Sequence, residues 1–265
     1  MSAIAFCRRQ LTDALHGSPP PRLLVLSRFG LDFLPAGAES GPRIEIALPQ
    51  RKARWLGRSA TVAGVPLLAL ELEDSSEATA FDEALPLFVA APLDLAAVVS
   101  FSAGAALVPK VPAPSLVAIA DWIRSTNEDP LRELEGSVLG ARFPELRHLR
   151  HERPLQIAAE QLAAEGGTAP VVALARRGPS GATDAELEVY ARLGAELLIE
   201  GCAAEVVAAR HQGIPYVALA LVLDSLVTDS PADPGQLAEA AALLLPRCTA
   251  LIEELVPRLM AEARR

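Results

Sequence analysis

The chain has 265 residues, with 24 Lys+Arg against 33 Asp+Glu, a formal net charge of −9 and a pI near 5.1. An apolar share of 51% excludes a disordered chain, and the acidic balance argues against a general nucleic-acid binder, which needs a positive field to neutralise phosphates. No uninterrupted apolar run approaches the roughly 20 residues of a transmembrane helix.

The opening MSAIAFCRRQLTD places its charges after a short apolar stretch, the reverse of a secretory signal. Cys7, Cys202 and Cys248 have no metal-ligand spacing and no evident pairing, so a reducing, cytoplasmic setting is expected. In chain order, residues 2–16 form an amphipathic helix with Ile4, Leu11 and Leu15 on one side, ended by the prolines of 18–21. RLLVL (22–26) is a buried strand, and 61–72 is a hairpin turning at Ala63-Gly64. Residues 82–96 have helical character interrupted by Pro86 and Pro92, while 96–101 and 115–123 are strands. A helix over 154–165 closes at Gly166-Gly167.

From there strands and helices alternate. Strands are expected at 171–175, 196–200 and 214–223. Helices are expected from Thr183 to Leu193, with Thr183 and Glu186 at capping-box spacing, and from Ala203 to His211, ended by Gly213. Residues 235–263 form one or two helices broken near Pro246. This alternation predicts a single α/β domain over 1–265, a mixed twisted sheet flanked by helices, with 1–21 as N-terminal helix and linker.

Ligands of open α/β sheets bind outside the carboxyl ends of the strands. That selects Ser27 and Arg28, then Ser102, Ala103 and Gly104, then Arg176, Arg177 and Gly178, and finally Glu200 and Asp224. Glu200 and Asp224 end apolar strands, where partial desolvation would raise a carboxyl pKa and suit a general acid; each is equally readable as a cap or turn former. The run RHLRH with Arg150 and Arg153 is a solvated charged face. His148 and His151 lack a third ligand, so no metal is expected, and Cys202 has no histidine placed as its base.

Four segments together resemble the trimeric purine nucleoside phosphorylases, including methylthioadenosine phosphorylases. They are GPSGATDAELEVYARLGAELLIEGCAAEVVAARHQGIPYVALALVLD (178–224), DWIRSTNEDPL (121–131), GARFPEL (140–146) and VVSFSAGAAL (98–107). The resemblance implies a nucleoside phosphorylase/hydrolase-like fold and a homotrimer. It also implies cleavage of the N-glycosidic bond of a purine nucleoside by phosphate, with no other cofactor. Asp224 takes the position that stabilises the purine leaving group, as in members that accept 6-aminopurines. Ser102, Ala103, Gly104, Gly181, Ala182, Glu200 and Gly201 fall on substrate-binding positions. No counterpart of the 5′-hydroxyl histidine stands near Leu237 and Ala238, which favours a 5′-deoxy or 5′-thio group such as methylthioadenosine carries.

The chain departs from the family pattern in several places. The Gly-Ser-Gly phosphate loop is replaced by Ser27-Arg28-Phe29, and the Arg-His phosphate clamp by Glu71, Glu73 and Asp74, with Glu77 close behind. A carboxylate about 4 Å from a phosphate costs several kcal/mol at an effective dielectric near 20. The base-reading positions are Gly181 and Ala182, and the ribose-facing methionine is Glu200. Ile199-Glu200 with Asp224 is similar to the Met-Glu and acid pairing of related nucleosidases, in which Asp32 would activate water. Three functions therefore stand open: phosphorolysis, hydrolysis, and non-catalytic binding or scaffolding. The first two need Glu200 and Asp224 to converge on one sugar–purine cavity.

Overall fold

The computed structural model describes residues 3–36, 38–73, 75–125, 128–134, 140–141, 143–176, 181–227 and 232–264. Helix α1 (Ala3–Ala14) precedes strand β1 (Leu23–Ser27), which is buried throughout. Strands β2 (Glu39–Ala47), β3 (Arg54–Val62) and β4 (Val65–Glu73) form an antiparallel meander. Its β3–β4 turn falls at Ala63-Gly64, where both residues adopt positive φ. The predicted hairpin is thus present but longer. Strand β2 was missed, although Ile44 and Ile46 alternate with exposed Arg43 and Glu45 in the period-2 pattern of a half-buried strand.

Helix α2 (Ala80–Ala90) starts at a capping box in which Thr79 and Asp82 satisfy each other's backbone amides. It is shorter than the expected 82–96 and ends before Pro92. Pro86 stays inside it, and every residue of the helix is buried. A proline at 86 cannot donate to the carbonyl of residue 82, and that carbonyl accepts the indole N–H of Trp55 at 2.8 Å instead. Strands β5 (Ala97–Ala106) and β6 (Ser115–Arg124) are followed by α3 (Arg153–Ala164), β7 (Val171–Arg176), α4 (Asp184–Arg192) and β8 (Leu197–Glu200). Helix α5 (Ala203–Gln212), β9 (Tyr216–Ser225) and α6 (Pro234–Glu262) complete the chain.

The expected break near Pro246 does not occur, and α6 runs through both Pro246 and Pro257. Each proline forfeits one backbone bond. The buried stripe Leu244, Cys248, Leu251, Ile252, Leu255, Val256 and Leu259 holds the helix on the sheet regardless.

The strand order is β2-β3-β4-β1-β5-β8-β7-β6-β9, and β9 also pairs with β5. The last five strands therefore close on themselves, and the meander extends from β1 on one side. The sheet is mixed and flanked by helices, as expected, but its second half is a closed ring and not an open sheet. Closure needs β5 to carry partners on both edges beyond residue 101, so it continues to Ala106. Gly104 allows this crossing, because a Cβ there would lie 2.6 Å from the Leu198 carbonyl. Two cores flank the sheet. One packs α1, α2 and α5 against Leu24, Leu26, Val98 and Ala218. The other packs α3 and α6 against Leu23, Val25, Phe101 and Leu219.

Candidate functional site

Parallel β1, β5 and β9 bring their carboxyl ends together, where the sequence places its candidates. Several sit inside strands and not in the loops after them. Ser27 is the last residue of β1, while Ser102, Ala103 and Gly104 lie within β5 and Asp224 within β9. Arg176 ends β7 and Glu200 ends β8. Arg177, Gly178, Asp74, Pro179 and Ser180 lie outside the described residues.

Arg28 leaves β1 on the side of α2 and α5. Its guanidinium donates to Glu205 at 2.8 Å and pairs with Glu83 at 3.5 Å. The three side chains are 7%, 0% and 4% exposed, respectively. Glu205 also accepts the hydroxyls of Ser100 at 2.5 Å and Tyr216 at 2.9 Å. Burial alone would lower the Arg28 pKa, but the charges of Glu83 and Glu205 outweigh it and raise the value above that of a free arginine. Burial and then the Glu205 charge raise the Tyr216 phenol, which stays a hydrogen-bond donor. The same two causes push the Cys202 thiol up to about 12, so it is a buried apolar group and not a nucleophile.

Gly201 forms the other wall. It has φ +81°, and a Cβ on it would lie 2.2 Å from Arg28 Cζ. The guanidinium therefore lies against backbone, in space that any larger residue at 201 would fill. Around it, Ser27 is fully buried, with its Oγ accepting the Phe29 N–H at 3.3 Å. Ser102 is also fully buried, and its hydroxyl has no partner among the described residues. Phe29 packs into a cluster with Phe33 and Phe101, which fixes the loop that carries Arg28.

Asp224 is half-buried and acts as a turn former. One carboxylate oxygen accepts the Ser225 N–H at 2.7 Å and the other the Ala232 N–H at 3.3 Å. In β9, Ala218, Ala220 and Val222 line the first core, but the register shifts after Val222 and sets Asp224 opposite Ala105, on the other face. In β8, Leu197 and Ile199 line the same core, so Glu200 falls on the opposite face, beside Arg176 in register. Asp224 is opposite Ala105 and Ala105 is opposite Leu198, two residues before Glu200, so the two acids expected to converge lie on the same face of the sheet. Gly181 is exposed and Ala182 half-buried, and neither offers a polar side chain to a base.

The acids of the hairpin strand are mostly engaged elsewhere. Glu73 pairs with Arg54 at 2.8 Å and Glu77 with Lys52 at 2.6 Å. Glu71 remains, with its carboxyl near Gly30. Desolvation first, then the charges of Glu73 and Asp32, raise its pKa. Asp32 itself is exposed. A carboxyl that binds its proton more tightly folded than unfolded favours the fold at acid pH, and loses that contribution as pH rises through its folded pKa. Glu71→Gln is expected to raise the urea midpoint at neutral pH and leave it unchanged at mildly acidic pH, as measured by parallel denaturation curves.

The basic run is spent on surface ion pairs: Arg147 with Glu145, Arg150 with Asp121, and Arg153 with Glu160. No group of three or more potential metal ligands occurs among the described residues, and none of their helices is long and apolar enough to cross a membrane. The sequence reading missed Glu83, Glu205, Ser100 and Tyr216. The available signal was a glutamate set in each of two largely apolar helical stretches, FDEALPLFVA and AAEVVAA, where a buried charge needs a partner.

Comparison with known proteins agrees with the architecture. Solved structures of purine nucleoside phosphorylase from Schistosoma, in complex with hypoxanthine and, for Schistosoma mansoni, with adenosine, superpose with a TM-score of 0.81 at 20% identity; 96% of this chain and 95% of each of those chains are covered. The Schistosoma mansoni enzyme with inosine gives a TM-score of 0.80 at 19% identity. No curated protein sequence matches the chain. A family model described as the phosphorylase superfamily matches residues 79–257, about two-thirds of the chain. With two-thirds of its length matched, the chain belongs to the phosphorylase superfamily.

Proposed function

We propose that this chain is a non-catalytic, purine-nucleoside-binding member of the superfamily that does not use phosphate as a nucleophile. The observation that carries this reading is the Arg28 guanidinium, seated against Gly201 between Glu83 and Glu205. The first strand of a phosphorolytic relative would present backbone amides to an anion there. Here the Arg28 guanidinium is already held by two buried carboxylates and is not free to receive an anion. A phosphate about 4 Å from either carboxylate would be repelled by it by several kcal/mol. Asp224 is held in a turn by the Ser225 and Ala232 amides. Nucleoside binding at the carboxyl ends of β5 and β9, by Ser102, Ala103 and Gly104, is carried over from the family, as are the homotrimer and the preference for a 5′-deoxy or 5′-thio group. The resemblance by itself implies phosphorolysis; the replaced anion site favours loss of that step.

Hydrolysis is the second reading, and Glu71 is the observation that favours it. A carboxyl with a raised pKa at the strand ends, beside Asp32, is a group that can take a proton from water.

The test follows base release from methylthioadenosine, adenosine and inosine, with and without phosphate, alongside thermal stability. The expected result is no release under either condition and a rise in melting temperature with at least one nucleoside. Phosphate-dependent release overturns the proposal in favour of phosphorolysis. Release indifferent to phosphate, abolished in Glu71→Gln, establishes hydrolysis.

A further inference from the structure

We infer that the subsite beside Gly201 is a guanidinium-binding pocket occupied from within, with Arg28 as its own covalently tethered ligand. This deepens the loss of phosphorolysis proposed above, but it stands on a different observation: the pocket's own acceptors. Glu205 is wholly buried and supplies one oxygen to the guanidinium, while its other oxygen is fixed by Ser100 and Tyr216. Glu83 supplies a second carboxylate from α2. Gly201 supplies a flat wall without a Cβ, in contact range of Nε, Cζ and Nη1 of the planar group. Two carboxylates on two different helices, one orienting shell of hydroxyls and one face of bare backbone together match the shape and charge of a guanidinium. An oxyanion in the place of the guanidinium would face the carboxylates of Glu83 and Glu205. The chemical class the pocket selects is therefore a planar cation, the opposite of the anion that the superfamily's reaction consumes.

Sequence and structure agree on why the parts belong together. A glutamate in the wholly buried α2 is tolerable only with a cation opposite it, and the arginine is accommodated only because residue 201 is glycine. Phe29, next in the chain, anchors the loop through Phe33 and Phe101, so the guanidinium is held in place from both ends.

The test removes the tether and offers the ligand. Arg28→Ala in the full chain is expected to melt roughly 10 °C below the parent, because the fully buried Glu205 carboxylate loses its cation. Low-millimolar methylguanidinium should then raise the melting temperature of the variant saturably, and leave the parent unmoved. Equal ionic strength of sodium chloride, or of sodium phosphate, should give no such rise. Adding Glu205→Gln to Arg28→Ala should abolish the rescue. If Arg28→Ala does not fold, the same comparison is made on Arg28→Lys, whose ammonium cannot fork between both carboxylates; it should melt below the parent and still respond to methylguanidinium. Stabilisation of either variant by phosphate and not by methylguanidinium overturns the inference, and so does an absence of response to both. Base release from nucleosides bears only on the proposed function, so the two can fail separately.

Discussion

Glu205→Gln is expected to be among the most damaging single substitutions in this protein, at about 3–5 kcal/mol of folding stability. The side chain is fully buried and serves three donors at once: Arg28 at 2.8 Å, Ser100 at 2.5 Å and Tyr216 at 2.9 Å. Glutamine keeps the volume and one acceptor oxygen, but removes the charge that balances Arg28. Its amide NH2 would face donors where an acceptor stood, leaving buried polar groups unpaired. Glu83 cannot take over, since its contact with Arg28 is already long at 3.5 Å. The measurement is a urea denaturation series at neutral pH. The control is Glu160→Gln, which breaks surface ion pairs to Arg153 and Arg258 and should leave the midpoint unmoved. Equal midpoints for both variants would show that the internal cluster contributes nothing to the fold.

Gly201→Ala is expected to cost about 2–4 kcal/mol, from two separable causes. Residue 201 has φ +81°, where a Cβ is unfavourable by about 1 kcal/mol. The remainder is overlap with Arg28, whose Cζ would lie 2.2 Å from the new methyl. A free arginine tip would simply swing away. This one is pinned by two carboxylates, so relief of the overlap breaks the ion cluster. The two causes separate in a double-mutant cycle. In an Arg28→Ala background, Gly201→Ala should cost only the backbone share, about 1 kcal/mol. Strict additivity would mean that the two residues do not compete for the same space.

Much of the architecture was legible because it follows from local periodicity. The buried run of β1, the Ala63-Gly64 turn, the Thr183–Glu186 capping box and the αL stop at Gly213 each depend on a few neighbouring residues. The failures share one cause. Pro246 was expected to break its helix and does not, because packing of α6 on the sheet outweighs one lost hydrogen bond. Ser102, Ala103, Gly104 and Asp224 were placed after strands that in fact continue, because ring closure supplies β5 and β9 with further partners. Strand ends are set by pairing partners distant in sequence, and no local pattern records them.

The sequence by itself determined the fold class, the family and the replacement of the phosphate loop by Ser27-Arg28-Phe29, since each is a matter of residue identity and spacing along the chain. Only the tertiary structure decided what that replacement means. Arg28 and Glu205 are 177 residues apart, and Arg28 and Glu83 are 55 apart. Whether an arginine beside an anion site attracts the anion or is neutralised depends on which charges fold against it. Charge interaction falls with distance in space and is blind to distance along the chain, so three-dimensional packing made the decision.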